Sequence, residues 1–155
     1  MLPIDRADPV ILGHVLAQHR ELHTLVSRVH ERFDDVAAQT AASGQAAALR
    51  EPLQALRDYL CCHFQQEERG GFLEESLARM PRLASAAKAV LADHPRLLEE
   101  LDRLIESLPM ADISGLQRAD LEAGFDRFCQ HLLTHERNEN AVVQEGYNED
   151  LGLVD

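Results

Sequence analysis

The chain has no tryptophan, an aromatic share of only 5%, three cysteines, and 15 basic residues against 27 acidic ones. Each shortage excludes something. A formal charge of −12 leaves no basic stripe for nucleic acid or an anionic membrane, so neither is expected as a partner. Cys61 and Cys62 are adjacent and Cys129 stands far away, an odd and badly spaced set for a disulfide framework. Reduced thiols are expected, serving as small buried filler rather than metal ligands, because no CxxC accompanies them. No apolar run approaches the roughly 18 residues of a membrane span, and no secretory pattern opens the sequence. The expectation is a soluble, cytoplasmic protein.

What is present suits one globular domain, 1–155. A hydrophobic share of 45% with 27% charge is that of a folded chain, and plentiful Ala and Leu beside scarce aromatics point to a helical bundle. At 155 residues it is long enough to bury close to two-thirds of its surface without staples.

Asp8-Pro9 reads as an N-cap followed by proline at the first helical position. Alternating steps of three and four then run through Leu12, Val15, His19, Leu22, Val26, Val29 and Phe33. Residues 40–45, with Ser43-Gly44, form a loop. The second helix, its start blurred by Pro52, carries Leu53, Leu56, Leu60, His63 and Glu67 until Gly70-Gly71 stops it. Residues 72–80 are a short extra helix or a wrapped connection. Beyond Pro81 the seam Leu83, Ala87, Val90, His94, Leu97, Leu101, Leu104 and Leu108 defines a third helix, which Pro95 should kink beside His94. The fourth carries Leu121, Phe125, Phe128, Leu132, His135, Glu139 and Val142, and the acidic tail from about Gly146 is expected to be loose. The fold class that follows is all-α, an antiparallel up-down four-helix bundle, with helices at about 9–36, 48–69, 82–108 and 114–145.

Four of those seam positions hold histidine where leucine or valine belongs, one per helix: His19, His63, His94 and His135. Glu67 and Glu139 follow two of them by one turn. Only about two positions in seven belong to a narrow seam, so four helices each placing a histidine there by chance has a probability on the order of one per cent. Ionisable groups buried at six seam positions are costly unless a charge compensates them, and two metal ions would do so. Glu67 also lies near the negative end of its helix, where a cation would offset an unfavourable dipole. A His and a Glu one turn apart have Cβ atoms roughly 6 Å apart and can reach the same pair of ions. Four imidazoles and two bridging carboxylates are the donors of a di-iron or di-manganese bundle centre, completed by an oxo or hydroxo bridge. Zinc binds such sites more tightly still, so affinity alone does not select iron.

His23 and His131 lie one turn from His19 and His135, on the edge of the seam, and are candidates for an additional nitrogen ligand or an outer donor. Glu68 and Glu136 read as solvated or outer-sphere residues. His14 and His30 read as surface histidines.

These elements resemble the hemerythrin-like family, also called the HHE cation-binding domain. The resemblance is carried by His19-Arg20, by His63-Phe-Gln-Gln-Glu67-Glu68, by Asp93-His94-Pro95 and by His135-Glu-Arg-Asn-Glu139-Asn140. It implies a four-helix bundle with an oxo-bridged non-haem di-iron centre, with ligands His19, His63, Glu67, His94, His135 and Glu139 and the two glutamates as bridges. The chain departs from the oxygen carriers of that family. They have a fifth histidine four residues from the third-helix ligand, where this sequence has Val90 and Leu98. Their last carboxylate follows its histidine by five residues, not four, and the Leu-Phe-Pro often found after it is replaced by Ala141-Val142-Val143. The broader HHE group is the nearer likeness.

The function expected is a di-iron protein that engages a small diatomic ligand or oxidant, such as dioxygen, nitric oxide or peroxide, for sensing, storage or detoxification. The apolar residues Leu22, Val90, Leu97, Phe128 and Leu132 would favour small uncharged ligands. The alternative is a di-iron enzyme, a peroxidase, an oxidase or an iron-centre repair factor. The paired Glu-x-x-His motifs of ferritin-like oxidases are missing. A zinc hydrolase, suggested by His135-Glu136, lacks the second histidine of HExxH, since position 139 is Glu. A binding protein is favoured over a dedicated enzyme, and no protein partner can be named.

Overall fold

The computed structural model describes residues 9–39, 44–70, 81–110 and 112–152. They form four helices: α1 (Pro9–Ala38), α2 (Gln45–Gly70), α3 (Ala84–Glu106) and α4 (Gly115–Gly152), with a 3-10 turn at Pro81–Leu83 leading into α3. The expected short helix or connection at 72–80 lies outside the described residues, as do the side chains of Leu12 and His14.

Side-chain pairs fix the direction of every neighbouring helix. Along the α1–α2 face, Gln18 meets His63 while Arg32 meets Ala48. Between α2 and α3, Arg57 meets Asp102 while Glu68 meets His94. Between α3 and α4, Asp93 meets His135 while Glu100 meets His131, and on the last face His19 meets Glu139 while His23 meets Glu136. On each face a rising number meets a falling one. The architecture is therefore an antiparallel up-down four-helix bundle in which α1 packs on α2 and α4, and α3 on the same two.

Local chemistry sets the helix ends. Gly44 takes a positive φ of 93° just before α2, a conformation that costs glycine little. Ser107 closes α3 by donating its hydroxyl to the Arg103 carbonyl at 2.6 Å. Ser114 and Gln117 form a reciprocal capping box at the start of α4: the Gln117 amide donates to Ser114 Oγ at 3.1 Å, and the Ser114 amide donates to Gln117 Oε1 at 2.9 Å.

Two boundaries differ from expectation. The second helix begins at Gln45 and runs through Pro52. Proline cannot donate to the carbonyl four residues back, which is that of Ala48, and Arg32 Nη1 donates to it instead at 3.2 Å. The third helix continues across Pro95, as its expected span requires, with that residue on the exposed side. The fourth does not end near 145 but passes through Gly146 to Gly152, since an interior glycine costs only about 1 kcal/mol.

The interior is layered along the bundle. A large apolar core joins Leu22, Val29 and Phe33 of α1, Leu53, Leu56 and Leu60 of α2, Leu97 and Leu101 of α3, and Phe125, Phe128 and Leu132 of α4. A smaller cluster of Ala87, Val90 and Val142 lies further along α3 and α4. On both helices the seam residues between the two cores are polar. No described helix is long and apolar enough to cross a membrane.

Candidate metal centre

All six seam residues come together in that polar layer. His19, His63, Glu67, His94, His135 and Glu139 are between 0% and 4% exposed. They form two groups, His19, His63, Glu67 and Glu139 on one side and Glu67, His94, His135 and Glu139 on the other, with the ligand atoms of each within 4.8 Å of one another. Both glutamates belong to both groups.

The carboxylate oxygens divide accordingly. Glu67 Oε1 contacts His63 Nε2, while its Oε2 lies 3.2 Å from His94 Nε2. Glu139 Oε1 lies 3.3 Å from His19 Nε2 and 4.0 Å from His63 Nε2, while its Oε2 lies 3.3 Å from His135 Nε2. Each carboxylate thus turns one oxygen to each histidine pair, the disposition of a bridge.

The far side of two imidazoles, His63 and His94, shows which nitrogen faces inward. His63 Nδ1 lies 2.6 Å from Gln18 Oε1, and the Gln18 amide nitrogen donates to Gln66 Oε1 at 2.8 Å, which fixes Gln18 Oε1 as an acceptor. His94 Nδ1 lies 3.0 Å from Glu68 Oε1, and His135 Nδ1 faces Asp93 Oδ2 at 3.5 Å. On His63 and His94 the acceptors at Nδ1 hold the proton there and leave the Nε2 lone pair directed at the centre, whereas Nδ1 of His135 and of His19 has no hydrogen-bond partner among the described residues. Nε2 of all four histidines and both oxygens of Glu67 and Glu139 are buried without a hydrogen-bond partner among the described residues. Eight converging orphaned donor atoms are what a cation satisfies and what packing alone does not. The cluster could hold a metal ion, and the residues present fit one.

Charge follows the same logic. Burial opposes protonation of His19, yet Glu139 beside it, with Glu136 and Glu67, raises its pKa above the ordinary value. Burial likewise opposes protonation of His94, and Glu67 and Glu68 outweigh it. For Glu139, burial opposes ionisation, but His135 and His19 hold its carboxyl well below the usual carboxylate range. Two buried carboxylates therefore gather positive charge around them, as protons or as metal. Metal binding to such a site displaces protons.

The two flanking histidines stand outside both groups. The His23 ring is 55% exposed, with Nε2 2.6 Å from Glu136 Oε2. His131 is half-buried between Glu100 at Nδ1 (3.0 Å) and Asp93 at Nε2 (3.3 Å). Neither supplies an atom to the centre. Glu136 is buried rather than solvated, and Glu68 backs an imidazole. His30 is not a surface residue: half-buried, it packs edge-on against Phe125 with ring centroids 5.0 Å apart. Among the thiols, Cys129 packs against the core and burial pushes it up to about 12, whereas Cys62 is exposed and so is no buried filler. No cysteine joins either ligand group.

Gln18, Asp93 and Phe64 were missed in the sequence. Phe64 stacks face to face on His94, with centroids 3.8 Å apart and an interplanar angle of 5°, and meets His135 edge-on at 5.4 Å. Its only sequence signal is that it lies four residues after Leu60, on the broad core stripe beside the narrow seam. Gln18 and Asp93 each precede a seam histidine but serve the histidine of the next helix, which no single-helix periodicity reveals. No protein-family model, curated protein or solved structure matches the chain.

Proposed function

We propose that this chain is a hemerythrin-like, non-haem di-iron protein that engages a small diatomic ligand or oxidant, dioxygen, nitric oxide or peroxide, for sensing, storage or detoxification. The observation that carries this reading is the division of Glu67 and Glu139, each with one oxygen toward each histidine pair. His19 and His63 would hold one ion and His94 and His135 the other, with both carboxylates shared. Nitrogen and carboxylate donors without thiolate suit iron or manganese, and also zinc.

Two iron ions bound there supply electron exchange with a small oxidant. The protein's part is orientation and exclusion. Gln18 and Glu68 hold two imidazoles by their outer nitrogens, so the inner ones stay aimed, and Asp93 faces the outer nitrogen of a third at 3.5 Å. Phe64, Leu22, Val90, Leu97, Phe128 and Leu132, all buried, keep bulk water away and favour uncharged ligands of a few atoms. A zinc hydrolase of the HExxH kind would need a second histidine at position 139, which is Glu.

The test is metal content and optical spectra of protein purified from iron-replete cells, reduced and oxidised, before and after each small ligand. Two irons per chain with a spectral response to at least one ligand support the reading; iron without any response refutes the ligand-binding role. Turnover of peroxide or ferrous iron beyond two equivalents per chain would move the assignment to an enzyme.

A further inference from the structure

The inner donors of the two groups match. His19 meets His63 edge-on with ring centroids 5.4 Å apart, His94 meets His135 edge-on at 5.1 Å, and both groups share Glu67 and Glu139. An ion on either side would find two imidazoles and two carboxylates. Nothing in this inner set distinguishes one position from the other.

The outer contacts do distinguish them. Behind His19 and His63 stands one neutral acceptor, the amide oxygen of Gln18 at His63 Nδ1, while Nδ1 of His19 has no hydrogen-bond partner among the described residues. Behind His94 and His135 stand two carboxylates. Glu68 Oε1 lies 3.0 Å from His94 Nδ1, and Asp93 Oδ2 lies 3.5 Å from His135 Nδ1, an ion-pair separation. A third carboxylate, that of Glu136, is bonded to His23 at 2.6 Å and acts on His19 only at longer range.

Asp93 is itself held in place. Its other oxygen lies 3.3 Å from His131 Nε2, and Nδ1 of the same ring lies 3.0 Å from Glu100. A ring with a carboxylate oxygen at each nitrogen donates from both, as an imidazolium. His131 thereby occupies one oxygen of Asp93 and leaves the second turned to His135. Arg96, 4.0 Å from Asp93, is 71% exposed, and solvent screens its charge.

An imidazole whose outer nitrogen faces an anion is a stronger donor than one whose outer nitrogen faces an amide or nothing. We infer that the position between His94 and His135 is the tighter and more electron-rich of the two and fills first. Glu68 and Asp93 set that preference through the imidazoles they face, and His131 positions Asp93. This rests on the two-ion reading above.

The experiment uses the full chain, first titrated with Co²⁺ to saturation to count the ions it takes. Crystals are then grown at a low ratio of metal to chain, where occupancies follow the separate affinities, and the anomalous signal of cobalt gives the occupancy of each position. In the unaltered chain the position between His94 and His135 should be favoured by about 10-fold or more, the size of effect that outer partners exert. Glu68→Gln combined with Asp93→Asn puts an amide in place of each carboxylate, as at Gln18, and should bring the two occupancies close together. Gln18→Glu should narrow the gap from the other side. Equal occupancies in the unaltered chain, or a majority between His19 and His63, would overturn the inference whether or not any variant folds. So would a folded double variant that keeps the full preference. A chain that takes fewer than two Co²⁺ at saturation would instead sink the two-ion reading itself.

Discussion

Replacing Glu139 by Ala separates a shared carboxylate from one that belongs to a single histidine pair. Its two oxygens lie 3.3 Å from His19 and 3.3 Å from His135, residues of opposite groups. Structural zinc sites with four ligands bind with about 10–16 kcal/mol, or roughly 3 kcal/mol per ligand. Removing one coordinating oxygen from each ion should then weaken each by roughly 3 kcal/mol, about 100-fold in dissociation constant. His19→Ala removes a donor from one group only, so one ion should weaken by a similar factor and the other much less. Competition titrations against a chelator of known affinity, followed by metal counting, read both constants. Helical circular dichroism of the metal-free variants checks the fold, which the separate apolar core should preserve. Glu139→Gln serves as the volume-conserving control. If Glu139→Ala and His19→Ala each weakened a single ion to the same extent, the carboxylate would not be shared and the paired arrangement would be wrong.

Leu56 is fully buried in the large apolar core, so Leu56→Ala should lower unfolding free energy by about 2–5 kcal/mol in urea titrations while leaving metal stoichiometry unchanged. A change in stoichiometry would mean that core and centre are not separate layers. For His131, burial opposes protonation, but Glu100 and Asp93 outweigh it and raise the pKa above the ordinary value of 6.5. A raised imidazole contributes stability that is complete below the unfolded value and is lost as pH rises through the folded value. The ring is part exposed, so the effect should be under about 1 kcal/mol, visible as a decline in stability above neutrality that His131→Gln abolishes. An identical pH profile in that variant would refute it.

The bundle was legible because periodicity on each helix needs no partner. Leu22, Val29 and Phe33, Leu53, Leu56 and Leu60, Leu97 and Leu101, and Phe125, Phe128 and Leu132 are seam positions that the structure buries. Six ionisable residues stood out because they occupied the same seam. What lay hidden depends on the rotation and register of one helix against the next. Gln18 and Asp93 sit beside seam residues yet act across an interface, as does Glu68, for which an outer-sphere role was one of two expected readings, and Phe64 lies on the wider stripe that flanks the seam. The start of α2 was less sharply legible: expected at about residue 48 and blurred by Pro52, it lies at Gln45, and Arg32 from another helix satisfies the Ala48 carbonyl that Pro52 leaves open.

Counting metal per chain tests the central claim most directly. Protein purified under iron-replete, reducing conditions and analysed by mass spectrometry should carry two ions per folded chain, both lost to a strong chelator and both weakened in Glu67→Ala and Glu139→Ala. A chain that folds with no bound transition metal, or that holds one ion unaffected by either substitution, would contradict it.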